Sequence, residues 1–185
     1  MPELSTRRKS RSIELMDESK ALKRLRFFAG QVLTAESLEL ERQYSREKLK
    51  RHNRTLHGFG IVSGLIVFVK TGTIIVEPGL ALDCEGNELV VSSVQSLLVS
   101  AAIDSLSSAF VSLRYAEDET DFASAATITE AVAIEVAQEN FNRGHRHLRA
   151  RWLTCGQAHP LTIAKLKHSS QGWRVERGYR PPTIK

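Results

Sequence analysis

The pattern of apolar residues changes at Gly58, and this change constrains the fold more than any other feature of the sequence. From Thr34 to His57 the residues suit one helix, because Thr34 is a capping residue, acids follow it, and bases crowd the far end before the stop at His57-Gly58. After Gly58, β-branched and apolar residues alternate in short runs between turn residues, which is typical of strands. The sequence therefore predicts an α+β protein, with an N-terminal helical arm followed by an antiparallel β-sandwich or partly open barrel.

The predicted helix has only a thin apolar stripe. Leu38, Leu49 and Leu56 mark it, with Tyr44 between them. A stripe this narrow does not suit a helix that is buried all round. We therefore expect the helix to need a neighbour on one side only.

About eight short strands are predicted after Gly58. A bend at Pro78-Gly79 and turns at Thr71-Gly72 and Glu85-Gly86-Asn87 separate several of them, and the acidic segment 116–121 is interpreted as a solvated loop. The predicted strands cover residues 61–69, 73–76, 80–82, 88–91, 109–115, 131–136, 161–167 and 173–176.

These patterns divide the chain into three predicted parts. Residues 1–20 form a flexible basic arm, residues 21–58 a helical segment, and residues 59–185 a β-rich domain. Within that domain the Arg- and His-rich stretch near 142–160 is predicted to be a long basic loop, and loops of that length are usually functional or disordered.

The formal net charge of +5 conceals a strong separation of sign along the chain. Residues 42–54 carry six bases against one acid, residues 55–142 carry two bases against twelve acids, and residues 143–185 carry ten bases against one acid. An acidic middle between basic ends suits either a protein that contacts polyanions or a subunit that docks onto neighbours of opposite charge. The charge distribution by itself leaves both open.

Several classes of protein lack their sequence signatures here. No run of about 18 apolar residues occurs, and no apolar stretch follows the N-terminal bases, so neither a membrane span nor a secretory signal is predicted and synthesis in the cytoplasm is expected. Cys84 and Cys155 belong to no metal-ligand pair. The chain contains no GxSxG elbow and no GxxxxGK[ST] or GxGxxG loop, so we predict a non-enzyme without a cofactor.

Two histidine pairs are candidates for metal ligands by their spacing. His145 and His147 would share one face of an extended segment, but Arg146 lies between them and no third ligand is near in sequence. His52 and His57 are five residues apart and do not share a helix face as i, i+4 pairs do. No metal site is predicted.

A nucleic-acid-binding module is the alternative function that the charges allow. The basic arm, the basic helix end and the Arg-rich loop would contact phosphates. Aromatic residues make up only 6% of the chain, and the basic stretches lack the interleaved aromatics on which single-stranded bases stack. We therefore favour acidic protein surfaces as the partners of these bases.

The most distinctive stretches are RFFAGQVLTAE at 26–36, ERQYSR at 41–46, and RHNRTLHGFGIVSGL at 51–65, followed by VEPGLALD at 76–83. They resemble a family of largely uncharacterised bacterial proteins that are encoded beside baseplate genes of phage-tail-like contractile injection systems. The chain departs from that pattern at Ser45, where the family has His, and at Glu36-Ser37, where it has Glu-Asp.

The resemblance implies a structural subunit of a phage-tail-like particle, either a phage or a contractile injection system. Its expected place is the baseplate or a fibre or spike attachment point, where it would act as an adaptor by protein–protein docking. Its expected partners are other subunits of a symmetric tail or baseplate assembly, including copies of itself, and no catalytic residue or metal ligand is implied.

Candidate site residues follow from the same stretches. Phe27 and Phe28 precede the helix cap, where they are positioned either to join the core of this chain or to fill a partner's pocket. The full set of interface candidates is Phe27, Phe28, Gln31, Tyr44, Arg51, Asn53, Arg54 and His57, and the turn-forming residues are Gly58, Gly60, Gly64, Pro78, Gly79 and Gly86.

A receptor-binding or carbohydrate-binding β domain at a fibre tip is a further possibility. It would require an exposed aromatic platform, and Trp152 and Trp173 are the only tryptophans.

Overall fold

A computed structural model describes residues 22–99, 103, 106–122, 125–142 and 159–184. The chain divides into two compact units, Met1–Glu47 and Lys48–Lys185. The predicted basic arm and residues 143–158 of the predicted basic loop, including His145, His147 and Trp152, lie outside the described residues.

Helix α1 spans Ala35–His52 and begins where the sequence predicts. The Thr34 hydroxyl accepts a hydrogen bond from the backbone N–H of Ser37 at 3.3 Å, which satisfies a backbone donor in the first turn. The α-helix ends at His52, and a π-helical turn, Asn53–His57, follows it directly. The Gly58 N–H closes this turn by donating to the Asn53 carbonyl at 3.0 Å.

The described residues after the helix form ten strands in three sheets, and all the strand pairings are antiparallel. The α+β class with antiparallel sheets is confirmed. The first sheet has the strand order β1 (Gly60–Gly64), β4 (Gly79–Leu82), β5 (Glu88–Val91). The second sheet has the order β2 (Val67–Lys70), β3 (Thr73–Val76), β6 (Gln95–Leu98). The third sheet has the order β10 (Gly172–Val175), β9 (Leu161–Ser169), β7 (Ser108–Phe122), β8 (Ala125–Ala137).

The predicted single strand at 61–69 is wrong, because the chain changes sheet within it. Leu65 has a positive φ of 57°, which no extended strand adopts, and its side chain is buried in the core. β1 before it pairs with β4, whereas β2 after it pairs with β3. Strand β6, which pairs with β3, was not predicted.

The prediction of a solvated loop at 116–121 is also wrong. β7 continues through this segment as a strand, with Ala116 opposite Ala131 and Glu117 opposite Glu130 on β8. The ladder of backbone hydrogen bonds to β8 outweighs the poor strand propensity of the acids. β9 pairs with β7 only from Ser108 to Leu113, so β7 and β8 beyond Leu113 form a ribbon that has two strands in the described part of the chain.

One hydrophobic cluster joins the three sheets. Alternate residues of the short strands point into it, as Ile74 and Val76 do on β3, while both faces of the first half of β9 are covered. Its fully buried large side chains are Ile74, Val76, Leu89, Val111, Leu113, Leu161 and Leu166.

Candidate interaction surface

A turn before helix α1 presents the two phenylalanines. The Gln31 N–H donates to the Phe28 carbonyl at 3.2 Å, and the Gln31 side-chain oxygen accepts from the Phe28 N–H at 3.3 Å. Gly30 has a φ of +82° between them. Gln31, an interface candidate from the sequence, therefore shapes the turn through both its backbone and its side chain.

The apolar side chains around this turn are exposed. Phe27 is 57% exposed and Phe28 69%, so neither belongs to the core of the described chain. Their neighbours Val32 and Leu33 are exposed as well. We call residues 27–33 the Phe segment. A run of large apolar side chains in water is the usual mark of an interaction surface.

Helix α1 itself has no buried residue. Leu38 and Leu49 of its thin stripe are about half exposed, as is Leu56 after it, and Tyr44 is half-buried. An ion pair along its exposed surface joins Arg42 to Glu39 at 2.9 Å, and pairs of this kind add little stability. Most helices in proteins are stabilised by packing one apolar face, so this helix exposes a face that packing could still cover.

The charges of α1 follow its dipole. Glu36 lies in the first turn, where hydrogen bonds from its own backbone N–H and from the Thr34 hydroxyl lower the pKa of its carboxyl. Lys50, Arg51 and His52 occupy the last turn. The helix therefore presents an acidic beginning and a basic end to any partner that lies along it.

The end of the helix is held by hydrogen bonds to the β4–β5 turn. The Asn53 side-chain amide donates to the Gly86 carbonyl at 3.1 Å, and an Arg54 guanidinium N–H donates to the Glu85 carbonyl at 2.9 Å. Asn53 is buried, with 6% of its surface exposed. Gly86 touches this end so closely that a Cβ there would overlap the Lys50 backbone. We call residues 50–58 the helix exit.

The β4–β5 turn is shaped from within by Asp83. One carboxylate oxygen accepts from the backbone N–H groups of Glu85 at 2.9 Å and Asn87 at 2.8 Å, and the other accepts from the Asn87 side-chain amide at 2.7 Å. The turn at Glu85-Gly86-Asn87 is predicted from the sequence, but the part that Asp83 plays in shaping it is not. The available signal was the spacing of Asp, Gly and Asn, since Asp side chains bond their own backbone two residues on.

His52 and His57 meet at the helix exit, contrary to expectation. Their rings contact edge to face, with centroids 5.2 Å apart, because the π-helical turn brings residues five apart onto one side. Both are exposed, as is Arg51, whose carbonyl accepts from the Thr55 hydroxyl at 2.7 Å. Among the described residues no group of three or more His, Cys, Asp and Glu side chains could hold a metal ion.

The remaining turn-forming residues join β1 to its neighbours. Gly64 has a φ of +63°, and a Cβ there would overlap the Pro78 carbonyl, next to Gly79. A Cβ at Gly60 would overlap the backbone of Pro182, whose carbonyl accepts from the Ile61 N–H at 2.9 Å. Gly58 has a positive φ and open space around it.

Tyr115 has a raised pKa, caused first by burial and then by its hydrogen bond to Glu117 at 2.8 Å, and both effects accompany a packed strand residue. No helix within the described ranges is long and apolar enough to cross a membrane.

No protein-family model matches the chain, and no curated protein sequence does. Solved structures do match it in fold. A chain of the "TssK-TssF-TssG baseplate subcomplex" of the type VI secretion system matches with a TM-score of 0.53 and 10% identity over 88% of this chain. A crystal structure of TssK matches with a TM-score of 0.55 and 13% identity, and a chain of "the baseplate complex from the type VI secretion system" with 0.58 and 10%.

The chain spans 62% of the first of these matched chains and 42% of each of the other two. At 10–13% identity the likeness shows a shared fold. This fold, an N-terminal helix followed by antiparallel sheets, is therefore one that occurs in baseplate proteins of a contractile secretion system.

Proposed function

We propose that this chain is a baseplate subunit of a phage-tail-like contractile injection system and acts by docking to other subunits, not by catalysis. The observation that carries the proposal is the fold that the chain shares with TssK and with chains of two type VI secretion baseplate complexes. The motif resemblance at 26–36 and 51–65 supports the same class independently, because it rests on sequence.

The Phe segment and helix α1 are the surfaces that suit docking. The Phe segment exposes Phe27, Phe28, Val32 and Leu33, and α1 buries none of its residues. Aromatic side chains dominate the binding energy of many protein interfaces when a partner's pocket covers them. We propose that a neighbouring subunit covers these surfaces in the assembled particle, where the chain links the baseplate to a fibre or spike as an adaptor.

The helix exit is held to the β4–β5 turn. Asn53 and Arg54 bind that turn by hydrogen bonds, and Gly86 contacts the Lys50 backbone closely. Side chains on an anchored chain segment lose less freedom on binding, which improves affinity. Of the sequence-derived candidates, Asn53 and Arg54 are proposed to fix the helix exit, and Phe27 and Phe28 to contact the partner.

The test is a double substitution, Phe27→Ala with Phe28→Ala, followed by separate measurements of folding and assembly. Exposed positions change stability by about 0.5 kcal/mol or less, so the urea midpoint should stay nearly constant. Co-purification with the baseplate subunits of the same organism should fall at least about tenfold.

A matched control removes apolar surface elsewhere. Val94 is 58% exposed and Leu98 on β6 is 81% exposed. The Val94→Ala, Leu98→Ala protein should assemble like the wild type. If the two double variants co-purified with the baseplate subunits to the same extent, the interface role of the Phe segment would be contradicted.

Electron microscopy of particles with and without this chain tests the wider proposal. Loss of the chain should change the baseplate end or the fibres attached to it. The alternative function, a nucleic-acid-binding module, predicts a different result. It requires tight binding to random duplex DNA that weakens steeply with salt, without association with particle proteins.

A further inference from the structure

Two hairpin tips enclose a groove of about 570 Å³ in the β domain. One is the Thr71-Gly72 turn between β2 and β3, and the other is the turn that leads from β9 into β10 at Gly172. β10 packs against β2, which places the two tips side by side. Ligand sites for small molecules occupy roughly 300–1,000 Å³, so the groove has the right size for one.

An aromatic wall forms one side of the groove. Trp173 on β10 lies directly opposite His168 on β9, and their ring centroids are 5.0 Å apart with planes tilted by 32°. Trp173 is half-buried and His168 is exposed, so protein atoms partly cover the Trp173 side of the wall, whereas the His168 side faces solvent. Flat rings of this kind offer a large contact area with little loss of conformational freedom.

The rest of the lining is polar but almost without charge. Thr71 and Gln171, which carry a hydroxyl and an amide, line the groove together with the apolar residues Val69 and Val99. Among the described lining residues none is acidic or basic apart from the imidazole of His168. A phosphorylated or cationic ligand would therefore lose its hydration without gaining a counter-charge.

Two glycines leave space beside the tips. Gly72 and Gly172 have φ values of +73° and +90°, and a Cβ at either position would meet nothing within 4 Å. The Gly72 carbonyl accepts from the Val99 N–H at 3.1 Å and the Gly172 carbonyl from the Ser169 hydroxyl at 3.1 Å, so the glycines offer room for a ligand rather than unpaired carbonyls.

We infer that this groove binds a neutral saccharide about the size of a disaccharide. The apolar face of a sugar ring matches the Trp173–His168 wall, and its hydroxyls match the amide of Gln171 and the hydroxyl of Thr71. Orientation by a few uncharged hydrogen-bonding groups around an apolar surface is what small-molecule sites use. This inference is independent of the docking role proposed for the Phe segment and helix α1.

The test uses the full-length protein labelled with ¹⁵N and a panel of maltose, lactose and N,N′-diacetylchitobiose, with glucose 6-phosphate as the charged comparison. The readout is the indole N–H resonance of Trp173, which a Trp152→Phe spectrum distinguishes from that of the other tryptophan. At least one neutral disaccharide should shift the Trp173 resonance in a saturable way and more strongly than the phosphate.

Variants then locate the site. Gln171 and His168 are exposed, so Gln171→Ala and His168→Ala should keep the fold, which thermal melts verify. Each should weaken saccharide binding by about fivefold, the effect of losing one hydrogen bond or ring contact. Ser170→Ala, next to Gln171 but outside the lining, is the matched control and should bind like the wild type.

Three results would overturn the inference. The first is the absence of any Trp173 shift across the panel, and the second is a shift that persists unchanged in both variants. The third is stronger binding of glucose 6-phosphate than of every neutral disaccharide.

Discussion

The side-chain amide of Asn53 reaches the main-chain carbonyl of Gly86 at 3.1 Å, although the two residues are 33 positions apart in sequence. This bond ties the π-helical turn to the β4–β5 turn, in a place where Asn53 is shielded from water. A buried hydrogen bond costs more when one partner is removed than it contributes on formation, since the other partner is left unsatisfied.

Asn53→Ala should therefore destabilise the β domain by about 1–3 kcal/mol, because the Gly86 carbonyl loses its donor and the void is not refilled. Urea unfolding followed by circular dichroism measures the change. Gln43→Ala, at an exposed polar position on α1, is the control and should change stability by less than about 0.5 kcal/mol. An Asn53→Ala midpoint equal to that of the control would contradict the role of this bond.

Gly86 and Gly72 provide a matched pair for separating backbone strain from close contact. Both have positive φ, +87° and +73°, but a Cβ at Gly86 would overlap the Lys50 backbone, whereas one at Gly72 would meet nothing within 4 Å. Gly72→Ala should cost about 1–2 kcal/mol, the cost of the left-handed conformation alone. Gly86→Ala should lower the free energy of unfolding clearly more than Gly72→Ala does. Equal losses of stability for the two variants in urea unfolding would show that the helix exit does not contact this turn closely.

The ion pair between Lys165 and Glu176, 2.6 Å apart, should make stability depend on acid pH. The hydrogen bond from Lys165 lowers the pKa of the Glu176 carboxyl below its ordinary value of 4.5. A lowered folded-state pKa contributes stability above the ordinary value, and this contribution is lost as the pH falls through the lowered one. The wild type should exceed Glu176→Gln in urea midpoint at neutral pH, and the difference should vanish in acid.

Glu88→Gln is the control for that prediction, because Glu88 is an exposed acid on β5. Its midpoint should follow that of the wild type at both ends of the pH range. A Glu176→Gln difference that stays constant with pH would assign the effect to packing instead.

Tyr115 should produce the opposite dependence at alkaline pH. Burial, followed by the hydrogen bond to Glu117, raises its pKa above the ordinary value of 10.0. The unfolded chain then ionises first, so the contribution to stability is full below pH 10.0 and is lost as the pH rises toward the folded-state value. Phenolate absorbance should show a late titration phase that disappears in Tyr115→Phe.

The local features of the fold were predictable where one residue type decides them. Thr34 marks the helix start because its hydroxyl satisfies a backbone donor, and the Thr71-Gly72 turn follows from Gly72, which tolerates positive φ. The strands at 73–76 and 88–91 were likewise predicted from their β-branched and apolar residues, and Ile74 and Leu89 on them are buried. These are short-range effects, which a sequence displays directly.

The failures have long-range causes. The acids of β7 lie in a strand because β8 supplies their backbone partners, and Leu65 takes a positive φ because its burial compensates for the strain. The π-helical turn that joins His52 to His57 depends on the bonds of Asn53 and Arg54 to a turn about 30 residues away. Neither periodicity nor propensity carries such information.

For the candidate surface, the sequence named the phenylalanines and the helix-exit residues as candidates and Asn87 as a turn residue, but it indicated neither the role of Asp83 nor the hairpin groove. The first group belongs to distinctive motifs, whereas Asp83 acts through turn geometry. The groove arises from two tips about 100 residues apart, Thr71 and Gln171, which only the packing of β2 against β10 brings together.

Strand β8 has a consequence for handling the purified protein. It is 13 residues long, and in the part of the chain that the structure describes no strand pairs with its outer edge. Its sequence contains neither Pro nor Lys, the residues that commonly protect exposed edges. Preparations that lack the partner subunits should therefore self-associate as concentration rises, and Thr129→Lys should delay the onset of light scattering without altering the fold.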